Sequence, residues 1–202
     1  LETGPVALLH RFAFQPNHLT FSALFFSVLV IPAFIHSFWL GGLTVLIAGA
    51  LDTLDGALAR KAGQASSAGA FLDSVLDRTG DFVIYLGLWA ALVFRVPRLF
   101  LGITLLIFFC IQGSFLVSYA RARGEGLGVS TSAGFFGRAE RLVALGVGSI
   151  VNDLLRMVWP QWPWLEQQGF ILGVLLLLAL GVHLSALKRI VAVFRQLKAD
   201  SR

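Results

Sequence analysis

Charge is what this sequence lacks. Asp, Glu, Lys and Arg together make up 13% of its 202 residues, where a soluble domain carries about a quarter. That scarcity excludes an ordinary water-soluble globule. Cysteine is reduced to Cys110 inside an apolar run, so there is no disulfide framework and a packing role is expected. Internal repeats and low-complexity tracts are absent as well, which excludes a repeat array. The net charge of +5 is scattered near the ends of apolar segments and not massed in a patch, so no nucleic-acid partner is expected.

What is present is apolar. Hydrophobic residues make up 57% of the chain and its mean hydropathy is +0.81. A bilayer core of roughly 30 Å needs about 20 apolar residues per helix. Six such stretches follow one another: Leu19–Phe38, Trp39–Leu58, Ala68–Phe94, Leu99–Ala120, Phe135–Trp159 and Gly169–Leu187. Turn-like breaks divide them, among them RKAGQASS, RVPR, RARGEGLGVSTSAG and WPQWPW. The last, rich in Trp and Pro, reads as an interfacial anchor. Ahead of them, residues 5–16 hold Val6, Leu8, Leu9 and Phe12 beside His10 and Arg11, too short to span and closed by Pro16. The expected fold is all-α and integral to the membrane, one domain over 1–202. An amphipathic interfacial helix over 5–16 precedes a six-helix transmembrane region over 19–195.

Loop charge orients the spans. With the N-terminus on the cytoplasmic side, that side holds Arg11, Arg60, Lys61, Arg78, Arg121, Arg123, Arg138, Arg141, Lys188, Arg189, Arg195, Lys198 and Arg202. The other side holds only Arg95, Arg98 and Arg156. This positive-inside bias places both termini in the cytoplasm and requires an even number of spans. The third stretch, as a helix of about 27 residues, reaches about 40 Å. It outruns the bilayer core, so its first half falls near the cytoplasmic surface.

The stretch LDTLDGALARKAGQASSAGAFLDSVLDR, from Leu51 to Arg78, breaks the avoidance of charge. It carries Asp52, Asp55, Asp73 and Asp77, four of the chain's 11 acidic residues. Spacings of three and four put each pair on one helix face. The turn between Arg60 and Ser67 lets the two helices run antiparallel, so the four carboxylates converge. Packed like charges repel, and a divalent cation is the natural compensation; an all-oxygen site suits Mg²⁺ or Mn²⁺. Gly69, Asp73 and Asp77 form one stripe, and Gly56 follows Asp55 directly; glycine permits a close approach there. Arg60, two turns beyond Asp52, favours a phosphate-bearing ligand. Ionisable groups in a membrane are costly and usually functional.

Written out, the pattern is Asp52-x2-Asp55-Gly56-x2-Ala59-Arg60-x8-Gly69-x3-Asp73-x3-Asp77. It resembles the signature of the CDP-alcohol phosphotransferases, with every position filled. The resemblance implies transfer of a phosphatidyl group from a CDP-linked lipid, such as CDP-diacylglycerol, to an alcohol, with release of CMP. It further implies that Asp52, Asp55 and Asp73 hold the metal. Asp77 is implied as general base and also touches a metal. Asp52, Gly56, Ala59, Arg60 and Gly69 are implied to line the CDP-lipid site. A homodimer is expected in the prokaryotic plasma membrane.

The second polar island, SYARARGEGLGVSTSAGFFGRAERL from Ser118 to Leu142, supplies Arg121, Arg123, Arg138 and Arg141. Arginines at the mouth of the site favour a phosphorylated acceptor, since the guanidinium fork matches phosphate oxygens. SYARARGE and RAERL resemble segments of the phosphatidylinositol-phosphate synthases and their archaeal counterparts, which implies inositol 1-phosphate as acceptor. Arg121, Arg138, Arg141 and Arg189 are the expected acceptor phosphate ligands. Arg121 stands where that branch commonly has Lys, and Gly124 where Ala is usual. Two rivals remain: a phosphatidylglycerophosphate synthase using glycerol 3-phosphate, and a carboxylate-based cation or proton transporter.

Overall fold

The computed structural model describes residues 16–61, 67–130, 134 and 136–200, the side chains of 16–24, 55–61 and 200 excepted. The expected interfacial helix over 5–16 lies outside the described residues save Pro16. Among the described residues there is no strand. Six long helices are α1 (Pro16–His36), α2 (Phe38–Lys61), α3 (Ser67–Arg95), α4 (Phe100–Gly126), α5 (Arg138–Val158) and α7 (Gly169–Asp200). A 3₁₀ turn, Pro97–Leu99, leads into α4, and the short helix α6 (Pro163–Glu166) occupies the WPQWPW segment. Pro16 opens α1 where the sequence pattern has it closing a helix; at a first turn its missing N–H costs nothing.

Among the described residues, two helices are long and apolar enough to cross a membrane by themselves, Pro97–Gly126 with 30 residues and Gly169–Ala199 with 31. Both outrun the apolar stretches that announce them, because Arg121, Ala122, Arg123 and Glu125 on α4, and the Lys, Arg, Gln, Leu and Ala residues of KRIVAVFRQLKAD on α7, favour helix after hydrophobicity fades. Their outer faces stay apolar: Leu101, Leu105, Phe108 and Phe109 on α4 are exposed, as are Leu177, Leu180, Leu184 and Leu187 on α7. A soluble monomer rarely shows apolar patches of that extent. This is a membrane protein.

The interior is held by close helix crossings. In lipid, apolar burial gives helices little reason to associate, so van der Waals fit carries the packing. Gly42 and Gly146 give the closest approach of backbone to backbone, where α2 crosses α5. A Cβ at Gly42 would lie 2.4 Å from the Gly146 carbonyl oxygen, and one at Gly146 would lie 3.0 Å from that of Gly42. Around this crossing Phe34, Phe38, Val45, Ile84, Leu88, Leu92, Ile103, Leu145, Ile171 and Leu175 form one continuous core.

Polar ties close one end of the bundle. Arg95, at the end of α3, donates to the carbonyls of Ile35 and His36 at 2.9 and 3.1 Å, capping α1. Asp153 on α5 accepts from the amide of Trp39 at 2.8 Å, capping α2. Buried Asn152 donates to Gln168 at 2.6 Å and accepts from the Ile171 amide at 3.2 Å. That pairing holds Gln168 in a left-handed conformation, φ 61°, between α6 and α7.

The acidic helices are not a simple hairpin. α1 packs against both α2 and α3, and α2 lies mainly against α1 and α5. α2 and α3 touch directly over only a short stretch, and the candidate site lies where Asp52 on α2 meets Asp73 and Asp77 on α3.

Candidate functional site

Three helices supply the site. α2 contributes Asp52; α3 contributes Asp73, Asp77 and Asp81, spaced by four so that they share one face. α5 opens with Arg138 and carries Arg141 one turn later. Asp52, Asp73 and Asp77 each offer a carboxylate oxygen, and these oxygens all lie within 4.8 Å of one another. The expected convergence of the acidic pairs therefore holds for these three. The side chains of Asp55, Gly56, Ala59 and Arg60 lie outside the described residues, although α2 runs through them. Gly69 sits on α3 one turn before Asp73, on an exposed part of the helix.

Arg138 is the counter-charge. Its Nη1 bonds Asp52 Oδ2 and also lies 2.7 Å from Asp77 Oδ1, a charge contact without hydrogen-bond alignment. Its Nε donates to Asp81 Oδ1 at 3.0 Å. Arg141, only 2% exposed, donates from Nη2 to Asp81 Oδ2 at 2.8 Å. An arginine at a helix N-terminus is disfavoured by the helix dipole. Here three carboxylates around Arg138 offset that cost. Gly80 lies beside this pair, where a Cβ would make ordinary contact at 3.5 Å with both Arg138 Nη2 and Ser27 Oγ.

The four arginines expected to bind acceptor phosphate fall into different settings. Arg138 and Arg141 share Asp81. Arg121 is exposed and pairs with Glu125 one turn on, at 2.9 Å. Arg189 donates to the Val117 carbonyl at 3.0 Å, joining α7 to α4. Sequence reasoning missed Asp81 as a site residue. The signal was available, since Asp73, Asp77 and Asp81 continue one spacing of four.

Three carboxylate oxygens this close, with no nitrogen or sulfur donor among them, form a hard set suited to a divalent cation such as Mg²⁺ or Mn²⁺. A helical membrane protein with such an acidic centre, faced by arginine, belongs to the class of metal-using membrane enzymes that act on phosphate esters. Residues 13–194 match the sequence profile described as CDP-alcohol phosphatidyltransferase. The chain belongs to that family and is a phosphatidyltransferase, which sets aside the transporter alternative.

Its relatives point the same way. It is 29% identical over 191 residues to the archaetidylinositol phosphate synthase of Methanothermobacter thermautotrophicus, covering 93% of this chain and 87% of that one. It is 34% identical over 164 residues to the phosphatidylinositol phosphate synthase of Mycobacteroides abscessus, covering 78% of this chain and 72% of the relative. Among solved structures it resembles the Mycobacterium tuberculosis phosphatidylinositol phosphate synthase with CDP-DAG bound. The TM-score is 0.71 at 29% identity, covering 94% of this chain and 91% of that one. The same enzyme in complex with manganese and citrate gives a TM-score of 0.73 at 28% identity, covering 94% and 87%.

Proposed function

We propose that this enzyme transfers the phosphatidyl group of CDP-diacylglycerol to a hydroxyl of inositol 1-phosphate. The acceptor oxygen forms a bond to the lipid-side phosphorus. The pyrophosphate P–O bond breaks and CMP leaves. The hydroxyl proton passes to a carboxylate oxygen of Asp77, the general base. Asp52, Asp55, Asp73 and Asp77 hold one or two divalent ions, Mg²⁺ or Mn²⁺. Ions bound there would neutralise the pyrophosphate and stabilise the departing CMP. Asp52, Gly56, Ala59, Arg60 and Gly69 line the CDP-lipid site. Arg121, Arg138, Arg141 and Arg189 hold the acceptor phosphate.

The observation that carries this function is the contact between Arg138 and the carboxylates of Asp52 and Asp77. A phosphate-binding cation stands directly beside the acids that bind metal and accept the proton. An acceptor anchored by phosphate at Arg138 has its free hydroxyl beside Asp77, and orientation of that kind accounts for a large part of an enzymatic rate. The names of the relatives support inositol phosphate as that acceptor.

The chain forms one membrane domain over 1–202. Its six long helices span the bilayer over 19–195. Both termini and the site face the cytoplasm of a prokaryotic cell, as the distribution of Lys and Arg supports. Two copies associate, as the resemblance to the family implies.

The test is CMP release from CDP-diacylglycerol with inositol 1-phosphate, free inositol, glycerol 3-phosphate and serine in turn. Turnover with inositol 1-phosphate alone is the expected result. Preference for glycerol 3-phosphate assigns the chain to phosphatidylglycerophosphate synthesis.

A further inference from the structure

We infer that Asp81 is a positioning residue for the acceptor: its two carboxylate oxygens hold Arg138 and Arg141 as a fixed pair and aim Arg138 at the reacting centre. This rests on the proposed phosphorylated acceptor and deepens it.

Asp81 sits one helical turn beyond Asp77 on α3, on the same face, but its role differs. Its oxygens are not among the cluster that Asp52, Asp73 and Asp77 form. Both are taken by arginine, Oδ1 by Arg138 Nε at 3.0 Å and Oδ2 by Arg141 Nη2 at 2.8 Å. Arg138 and Arg141 are three apart on α5, so one carboxylate on the facing helix reaches both. Asp81 is 6% exposed and Arg141 2% exposed, so neither charge has the option of turning to water. Behind Asp81 stand Phe82, Tyr85, Ile111 and Phe115, which offer the carboxylate no cation.

This geometry divides the labour of Arg138. Nε is committed to Asp81, which fixes the plane of the guanidinium. Nη1 is left at the Asp52 and Asp77 edge, where an anionic group on a substrate competes with carboxylates for it. An arginine without such an anchor has several rotatable bonds to order on binding, and each ordered side chain costs affinity. Arg141, through Asp81, locks the carboxylate that locks Arg138. Asp81 itself stands outside the cluster of Asp52, Asp73 and Asp77, so its direct effect falls on the two arginines and through them on acceptor binding.

The test is steady-state kinetics of Asp81→Asn with CDP-diacylglycerol and inositol 1-phosphate, beside Mn²⁺ binding by electron paramagnetic resonance and thermal unfolding in detergent. The amide keeps the shape and one acceptor oxygen but loses the charge. The KM for inositol 1-phosphate should rise about ten- to a hundred-fold, as expected for the loss of charged hydrogen bonds. The KM for CDP-diacylglycerol and the Mn²⁺ affinity should stay within about two-fold, since Asp52, Asp73 and Asp77 keep their carboxylates and Arg138 keeps its charge. A structural role alone lowers the unfolding temperature and leaves the ratio of the two KM values unmoved.

If Asp81→Asn does not fold because buried Arg141 is left unpaired, Asp81→Glu keeps the charge and shifts the carboxylate by one methylene, and a rise in acceptor KM with unchanged Mn²⁺ affinity is expected. An unmoved acceptor KM in a folded variant, with the parent using inositol 1-phosphate, overturns the role of Asp81 alone. A ten-fold loss of Mn²⁺ affinity overturns it in favour of a metal ligand. A parent enzyme that turns over no phosphorylated acceptor overturns the substrate assignment, and the role of Asp81 with it.

Discussion

Arg138 Nη1 stands 2.7 Å from Asp77 Oδ1, and the same nitrogen bonds Asp52. One guanidinium thus joins the helix that carries the first acidic pair to the helix that carries the second. The charge that makes the acids tolerable in a membrane is the charge best placed to meet a phosphate. Burial of a charge is costly unless it is paired, so the two functions support each other.

Arg138→Gln should weaken both. The KM for the phosphorylated acceptor should rise about ten- to a hundred-fold with loss of the charged contact. Without a divalent ion, unfolding in detergent should occur at a lower temperature than for the parent, because the carboxylates of Asp52, Asp77 and Asp81 lose their common partner. Added Mn²⁺ should restore more stability to the variant than it adds to the parent. Equal responses to Mn²⁺ would argue that Arg138 does not balance the acidic cluster.

Asp77→Asn should retain the fold and CDP-lipid binding while turnover falls by about 10²- to 10⁴-fold, the usual worth of a general base. The amide resembles the carboxylate in shape but takes no proton at neutral pH. Binding of the CDP-lipid, measured beside CMP release, separates the two effects. Near-parent turnover moves the base to Asp73.

The acidic centre itself was legible in the sequence. The spacing of four puts Asp73 and Asp77 on one helix face, and the turn between Arg60 and Ser67 returns that helix towards Asp52, so convergence was readable from the two together. The antiparallel pairing of those helices was legible only in part, because the α1 contact with both depends on tertiary packing, which leaves no periodic mark. The arginines show the same limit. Arg121, Arg138, Arg141 and Arg189 look equivalent as residues near span ends, yet Arg121 is exposed on Glu125 and Arg141 is buried on Asp81. The spacing of four marks Asp81 as sharing the face of Asp73 and Asp77, but its pairing with Arg138 and Arg141, 57 and 60 positions away, leaves no local pattern.

Gly146→Leu should destabilise the protein more than most core changes. The α2–α5 crossing brings the Gly42 carbonyl to 3.0 Å from where a Cβ would stand at position 146, and Leu46 to 2.6 Å. Overpacking of a tight core costs about 1–3 kcal/mol, and backbone on one side of the contact leaves little room to relax. Thermal unfolding in detergent measures the loss. A variant as stable as the parent would show that the two helices separate freely there.

Metal removal should abolish turnover. Excess chelator is expected to stop CMP release, and Mg²⁺ or Mn²⁺ to restore it. Asp52→Ala and Asp73→Ala should each weaken Mn²⁺ binding at least about ten-fold, since each removes one hard oxygen ligand from a small set. Full turnover in chelator would remove the metal from the chemistry.

The most direct measurement is CMP release by the purified enzyme, with Mg²⁺ or Mn²⁺ present, from CDP-diacylglycerol and a panel of acceptors. The geometry of Arg138 beside Asp52 and Asp77 predicts turnover with inositol 1-phosphate and little or none with free inositol or serine. Equal turnover with free inositol would contradict it, because the acceptor phosphate would then contribute nothing at the arginines.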